Sequence, residues 1–310
     1  MVVRLKPLTD WLVYVILRLF ICIIQALRIE TCHTVVRVLA IVATDVVRLR
    51  GRVVDDNLRN VFPEKSGKER RRMARRMWEH LFLMVCEIAH APRKIHRSNW
   101  HEHVSIPNRR EFVQYLLDPR PMLLVTGHLG NFEIGGFVTG LLGFPCFTIA
   151  RTLDNPYLDR YVNTFRGAKG QYILSKNGSS SQVEGVLAAG ATLSLLGDQQ
   201  AGPKGCWVDF LGRPASCHKA IALFTLSSGA PLLVAGTTRR GKPMQFEIAL
   251  LGLVDPKIPH EAMGGVAPLT QWYNERLGDA IRQDPAQYWW VHRRWKGEPP
   301  KRARRLQTAA

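Results

Sequence analysis

PMLLVTGHLGNFE (Pro121–Glu133) begins as a short apolar run, bends through Gly-His-x-Gly and continues into a helical pattern. Its first six residues predict a strand, Pro121–Thr126, and Phe132–Leu142 predicts the helix that follows. The same alternation extends down the chain. Further strands are predicted at Cys146–Ala150, Gln171–Leu174, Ala191–Leu196, Pro231–Gly236 and Gln245–Leu250. Helices are predicted between them at Pro156–Arg166, Ser181–Ala188 and Lys219–Ser228. Strands separated by helix-length segments imply an α/β fold, a mixed and largely parallel sheet flanked by helices. In such sheets active sites collect at the carboxyl ends of the strands.

His128 falls just past the end of the first of these strands. Gly127 and Gly130 permit the bend, so Glu133, in the first helical turn, is expected to fold back towards the imidazole. A carboxylate on one ring nitrogen fixes the tautomer and leaves the other nitrogen free as a base. The pair then acts as a triad without its serine, the nucleophile being a hydroxyl of the substrate. Backbone amides at the helix start, around Gly130 and Asn131, are candidates for holding an oxyanion or phosphate. The bare H-x4-[DE] pattern carries little information. Ten histidines and 25 acidic residues in 310 give about 0.8 chance matches. His128–Glu133 is the chain's one match, and its strand-turn-helix setting carries the weight. The alternative is a structural histidine satisfied by Glu133.

Other chemistries lack their sequence requirements. There is no G-x-S-x-G elbow, no G-K-[ST] phosphate loop and no G-x-G-x-x-G. Cys217 and His218 are sequence neighbours, whose side chains seldom face each other. The set His90, His96, His101 and His103 lacks a helical H-x3-H pair or thiolates, so solvated loop histidines are the simpler reading and no metal is expected. The six scattered cysteines form no C-x-x-C and read as free thiols in a reducing compartment.

The amino-terminal side has a different character. Trp11–Leu27, WLVYVILRLFICIIQAL, is an apolar run of 17 residues. As a helix it spans about 26 Å, at the lower limit for a bilayer core of about 30 Å. Arg18 and Gln25 interrupt it, and no small-residue cleavage site follows it. A membrane anchor, spanning or lying in the interface, is the expectation; a buried core helix is the alternative. Val35–Leu49 reads as a companion amphipathic helix. Arg4 and Lys6 precede the anchor and a larger cationic excess follows it, which argues for a cytoplasmic body. Ser66 and Glu69 form a capping box ahead of a helix with Met73, Met77, Leu81 and Val85 on one stripe. Arg70, Arg71, Arg72, Arg75 and Arg76 crowd its first turns, against the helix dipole, which suits an anionic lipid surface, an acidic partner or a solvated basic face.

The net charge, 43 Lys+Arg against 25 Asp+Glu, is +18. It predicts an anionic partner and excludes an acidic solvating protein. Nucleic acid is disfavoured as that partner, because there is no zinc-finger spacing, RNP-like strand or basic heptad, and an apolar anchor suits a DNA binder badly.

Five blocks carry a resemblance to a known family: NLRNVFPEKSGKER at Asn57–Arg70, TGHLGNFE at Thr126–Glu133, DNPYLDRYVNTFRGAKG at Asp154–Gly170, GDQQAGPKGCWVDFLGRPA at Gly197–Ala215, and QYWWVHRRWK at Gln287–Lys296. With these blocks in this order, the chain resembles the late acyltransferases of lipid A biosynthesis, of lauroyl/myristoyltransferase type. The resemblance implies a glycerolipid-acyltransferase-like fold at the cytoplasmic face of the bacterial inner membrane. It implies transfer of an acyl chain from acyl carrier protein, or from acyl-CoA, to a hydroxyl of a lipid A precursor, without a cofactor. By motif, His128 would be the general base and Glu133 its orienting partner. Arg166 would help bind or polarise the substrate, and Asp198 would position it. Read locally, Arg166 is also explained as a surface charge and Asp198 as a strand-end cap. One departure stands out: after GRPA the family runs through a threonine to a glycine, whereas this chain has Ser216-Cys217-His218-Lys219-Ala220.

The expected organisation is an anchor over residues 1–50, an α/β acyltransferase domain over 51–300 with a helical lead-in at 51–118, and a basic flexible tail at 301–310. The expected partners are acyl carrier protein, an anionic lipid or glycolipid acceptor and the membrane surface. Alternatives are an acyltransferase for another glycolipid or a lysophospholipid, and a non-catalytic lipid-binding membrane protein.

Overall fold

A computed structural model describes residues 5–175 and 179–299. Arg4 and the basic tail at 301–310 lie outside the described residues. Helices form the lead-in: α1 (Leu5–Ala26), α2 (Ile29–Ile41, continued by a π turn at Val42–Val46), α3 (Gly51–Val61) and α4 (Gly67–Lys94). The apolar run is longer than its unbroken core suggested, because Pro7 and Asp10 fit the first turns of α1. By length and composition α1 can cross a membrane, and its apolar window is only 6% buried. Arg18 does not hang free on this surface: its guanidinium sits 4.9 Å from the Tyr161 ring centre and donates to the Tyr14 hydroxyl at 3.0 Å.

α2 lays Cys32 and Val36 against Leu83 and Cys86 of α4. The start of α4 is the expected capping box, with both Ser66 and Glu69 hydrogen bonds made. Several of its crowded arginines have intramolecular partners. Arg70 pairs with Asp55, and Arg71 and Arg75 pair with Asp45. The expected stripe runs off the core: Met77 is fully buried, but Val85 is 47% exposed. Four-residue steps overshoot a helical turn by about 40° each, so Val85 lies about 120° round from Met73. The buried face is instead built on Met77, His80, Met84, Glu87 and Ala91.

The body follows as β1 (Val104–Ser105), α5 (Arg109–Leu116), β2 (Met122–Thr126), α6 (Phe132–Leu141), β3 (Cys146–Ala150), α7 (Pro156–Gly167), β4 (Gln171–Ser175), α8 (Ser179–Ala188) and β5 (Thr192–Leu196). It continues with β6 (Cys206–Phe210), β7 (Arg213–Cys217), α9 (Lys219–Ser228), β8 (Leu232–Arg239), β9 (Phe246–Val254) and α10 (Val266–Gln283). Seven strands form one sheet in the order β1-β9-β8-β2-β5-β3-β4, parallel except at β8–β9. The mixed, largely parallel sheet flanked by helices is therefore as expected. β6 and β7 form a separate antiparallel hairpin. That hairpin, β1, α5 and α10 are additional to the expected elements.

Two glycines set the turn after β2. Gly130 has φ +62, and a Cβ there would fall 1.9 Å from the Thr237 carbonyl oxygen. Gly127 has an ordinary backbone, but a Cβ on it would stand 3.2 Å from Cγ of Asp198. The turn is braced from behind by Glu87, whose side chain is fully buried. Arg239 donates to its two oxygens at 2.6 and 2.7 Å, and Asn131 donates at 3.0 Å. Arg239 also donates to Nδ1 of His80, whose Nε2 lies 3.2 Å from the Gly130 carbonyl. Burial, reinforced by the guanidinium, pushes His80 down to about 3, so it is a neutral donor to that carbonyl.

Arg239→Met leaves a fully buried carboxylate without its counterion. It is expected to lower stability by about 3–5 kcal/mol. Arg72→Gln, at an exposed position of α4, is expected to stay within about 0.5 kcal/mol of wild type. Denaturant titration compares the two, and equal midpoints would remove the bracing role from the pair.

Candidate active site

β2 and β5 are parallel neighbours in register, Thr126 opposite Leu196. Two residues beyond those positions stand His128 and Asp198. Nδ1 of His128 is 2.8 Å from Oδ1 of Asp198, and the His128 backbone N–H donates to Oδ2, also at 2.8 Å. Both residues are buried, Asp198 almost completely. The carboxylate thus holds the imidazole by ring and by backbone, leaving Nε2 as the nitrogen that accepts from another group.

Glu133 does not fold back onto the imidazole. Its position in the first turn of α6 turns its carboxylate towards α7, where Arg166 grips both oxygens. The expected His128–Glu133 hydrogen bond is therefore replaced by two pairs, His128–Asp198 and Glu133–Arg166. The amides expected to hold an oxyanion are also engaged: Gly130 N–H donates to the Gln287 carbonyl at 2.8 Å, and Asn131 N–H to the Thr237 carbonyl at 2.7 Å. Asn131 serves instead as the N-cap of α6, its side chain accepting from Ile134 N–H. These two residues shape the loop rather than offering it to a ligand.

Electrostatics follow from this geometry. Burial works against ionisation of Asp198, but the His128 charge and the hydrogen bonds from it bring the carboxyl down to about 2. Burial alone would lower His128; the Asp198 carboxylate outweighs it, and the imidazole titrates above its ordinary 6.5. Nε2 of His128 lies 3.0 Å from the Gln199 side-chain nitrogen, which also lies 2.8 Å from Nε2 of His292. Gln199 thereby gives one N–H to each ring. Burial and then the nearby His128 charge lower His292, which favours its neutral form. Trp289, at 4.9 Å between ring centres, and Phe132, at 5.2 Å, wall the imidazole.

The dyad stands between two spaces. On one side Phe132, Glu133 and Arg166 line a mainly apolar cavity of about 140 Å³ that runs past Phe112, Phe144 and Ile149. On the other, Gln199 and His292 line an open cleft. Gln199, Trp289 and His292 had no role assigned from sequence, although each sits in a block quoted for the family resemblance. Their signal was position beside Asp198 and within an aromatic-basic run, which says nothing of contact. The four histidines of the metal-ligand set are engaged separately: His90 with the Cys86 and Leu27 carbonyls, His96 with that of Arg93, His103 with that of Met244, and His101 edge-on to the Trp100 ring. Among the described residues no group of three or more His, Cys, Asp or Glu is placed to hold a metal ion.

A family model described as bacterial lipid A biosynthesis acyltransferase matches residues 3–297. The lipid A biosynthesis lauroyltransferase of Escherichia coli (strain K12) is 26% identical over 259 residues, covering 82% of this chain and 81% of the relative. The lipid A biosynthesis palmitoleoyltransferase of the same organism is 23% identical over 259 residues, with the same coverage. A solved 1-acyl-sn-glycerophosphate (LPA) acyltransferase from Thermotoga maritima overlaps 84% of this chain and 100% of its own, at 13% identity and a TM-score of 0.38.

The two opposing influences on His128 can be separated. In the wild type its imidazole is expected to titrate above 6.5 by NMR. Asp198→Asn removes the charge that raises it and leaves the burial that lowers it, so the titration is expected to move below 6.5. A titration unmoved by the substitution would count against the pairing.

Proposed function

The chain belongs to the bacterial lipid A biosynthesis acyltransferase family, and from that membership we propose that it carries a fatty acyl chain from a carrier thioester to a hydroxyl of a lipid A precursor, with His128 as general base and Asp198 as its orienting partner. The observation that carries the mechanism is the buried His128–Asp198 pair, with Nε2 directed to the cleft side through Gln199. The acceptor hydroxyl displaces the Gln199 N–H and gives its proton to Nε2 as its oxygen attacks the thioester carbonyl. Asp198, ionised at all working pH values, stabilises the imidazolium that forms. Collapse of the tetrahedral intermediate breaks the C–S bond, and the imidazolium returns the proton to the departing sulfur. The product is an ester and the free thiol of the carrier, and no covalent acyl-enzyme is required.

The apolar cavity beyond Phe132 suits the acyl chain, and the Arg166–Glu133 pair at its lining suits the polar end of the thioester. Arg166 is then a substrate-positioning residue, with Glu133 fixing its guanidinium. Acyl carrier protein as donor agrees with the +18 net charge, since an acidic partner meets a basic surface. The exposed apolar α1 anchors the chain to a membrane, with the α/β body on the cytoplasmic side.

Purified full-length chain is to be incubated with acyl carrier protein bearing a labelled acyl group and with a panel of lipid A precursors, other glycolipids and lysophospholipids. Label is expected in a lipid A precursor, and His128→Ala is expected to reduce the rate by about 10²–10⁴-fold or more. Only neutral His128 accepts a proton, so kcat/KM is expected to fall as pH drops through its raised pKa, with the acid limb above 6.5. Turnover undiminished in His128→Ala would sink the mechanism, and no label in any lipid would favour a lipid-binding scaffold instead.

A further inference from the structure

Arg294 is 1% exposed, among the largest fully buried side chains described. Among the described residues no carboxylate lies within ion-pair distance of its guanidinium, and neutral acceptors hold it instead. Nη1 donates to the Ser216 carbonyl at 2.9 Å. Nη2 donates to Sγ of Cys217 at 2.8 Å and to Oδ1 of Asn274 at 3.4 Å. Cζ lies 4.7 Å from the centre of the Phe210 ring, and the buried Nε has no partner among the described residues. A guanidinium keeps its charge when buried, so a full cation sits here among neutral groups. Neutral dipoles offset only part of the cost of burying a charge, and a fixed opposite charge nearby offsets more.

The contacts of this seat lead to Asp198. The Ser216 carbonyl that Arg294 grips also accepts from the Ala201 N–H, at 3.1 Å, and Ala201 closes the turn 198–201 that Asp198 begins. Gln200 of the same turn donates to the Lys296 carbonyl at 2.6 Å, two residues beyond Arg294. The β6–β7 hairpin, the turn after Asp198 and the segment 287–296 therefore meet around one guanidinium. That segment also sets Trp289 and His292 against the dyad. Ser216 and Cys217, which form the seat, are where this chain departs from the family pattern.

Asp198 is the buried anion of this junction. Burial opposes its ionisation, and the charges of His128 and Arg294 favour it. With Arg294 in place, ionised Asp198 and a neutral His128 make a site without net charge, and protonation of His128 leaves it positive. Without Arg294 the resting site is negative, and protonation neutralises it. The buried cation therefore disfavours the imidazolium and keeps the imidazole in the form that accepts a proton. The surrounding groups do not duplicate this effect. Glu133 acts on His128 in the opposite sense. The thiols of Cys206 and Cys217 and the hydroxyls of Tyr273 and Tyr288 are raised by burial and stay neutral. Arg50 acts on His292, and Lys219 on Cys206.

We infer that Arg294 is a positioning residue of the dyad: seated by Ser216 and Cys217, it is the buried counter-charge of Asp198 and restrains His128 from holding a proton. The use of that restraint rests on the acyl-transfer reading above, in which His128 is the base, whereas the restraint itself is present in the resting protein.

NMR titration of the His128 imidazole in the purified full-length chain reads the restraint directly. Arg294→Met and Arg294→Gln both remove the charge and are expected to move the titration upward by about half a pH unit or more. Arg293→Gln removes an exposed charge from the neighbouring position and is expected to move it by less than about 0.2. Asn274→Ala loosens the seat but keeps the charge, and is likewise expected to stay within about 0.2 of wild type. A titration unmoved in both Arg294 variants would overturn the proposal. An equal shift in Arg293→Gln would reduce the effect to net charge, and an equal shift in Asn274→Ala would reduce it to looser packing; either overturns it. Failure of both Arg294 variants to fold, with Asn274→Ala folded, would make the residue purely structural and overturn it as well. In turnover with labelled acyl carrier protein and the lipid panel, the acid limb of kcat/KM is expected to move to higher pH along with the titration. A titration that moves while the chain acylates no lipid keeps the restraint and removes the acyl-transfer reading. A limb that stays in place while the titration moves keeps the restraint and removes His128 as the base.

Discussion

The parallel register of β2 and β5 is the constraint on which the site rests. Parallel strands end on the same edge of a sheet, and here they are aligned so that the second residue past each end faces its counterpart. That alignment brings a histidine and an aspartate 70 positions apart in sequence to 2.8 Å. It also buries the pair, since both lie at the sheet edge under Trp289, Phe132 and Tyr288 rather than in a surface loop. Burial without the partner would leave a neutral, weakly basic imidazole. Burial with the partner gives an imidazole whose protonated form the carboxylate stabilises.

The loop that carries His128 has few means of holding its own shape, so the surrounding elements supply them. Gly130 approaches the β8 backbone more closely than any side chain would allow, and its carbonyl and amide are both taken by groups from outside the loop. Glu87 reaches from α4 to Arg239 on β8 and to Asn131 at once, so the long helix, the sheet and the loop meet at one carboxylate. A buried charge of this kind is a poor source of net stability but a strong specifier of one arrangement, because alternative arrangements leave it unpaired. The precision of the dyad is thus a property of the frame behind it.

Much of the fold was legible in the residues. The six expected strands all form, because continuous apolar runs bounded by Gly and Pro are what a doubly covered parallel sheet demands. The β6–β7 hairpin escaped notice because Pro214 argues against a strand, and it is tolerated here in a two-stranded ribbon. β1 is two residues long and leaves no periodic trace. In the site, His128 was legible from its turn and Asp198 from the family resemblance, but their pairing was not. Local spacing pointed to Glu133, five residues away, whereas the partner is set by strand register, which a single sequence does not display. Arg166 is expected from the family resemblance to touch the substrate, whereas its hold on Glu133, 33 positions away, is a matter of tertiary placement that local spacing does not display.

The sheet order has a consequence for how the chain comes to be folded. β5 lies between β2 and β3, both of which precede it in the chain, so the strand that leads into Asp198 takes its place between two earlier strands. β8, on the other side of β2, arrives later still and brings the carbonyl on which the His128 loop closes. Contacts of such long sequence separation form slowly, because chain entropy is lost before they repay it. The histidine therefore acquires its partner only after most of the chain has been synthesised, and α1 emerges from the ribosome long before it. α1 is thus complete in the chain well before the aspartate that orients the imidazole, so the apolar helix can exist without an assembled His128–Asp198 pair.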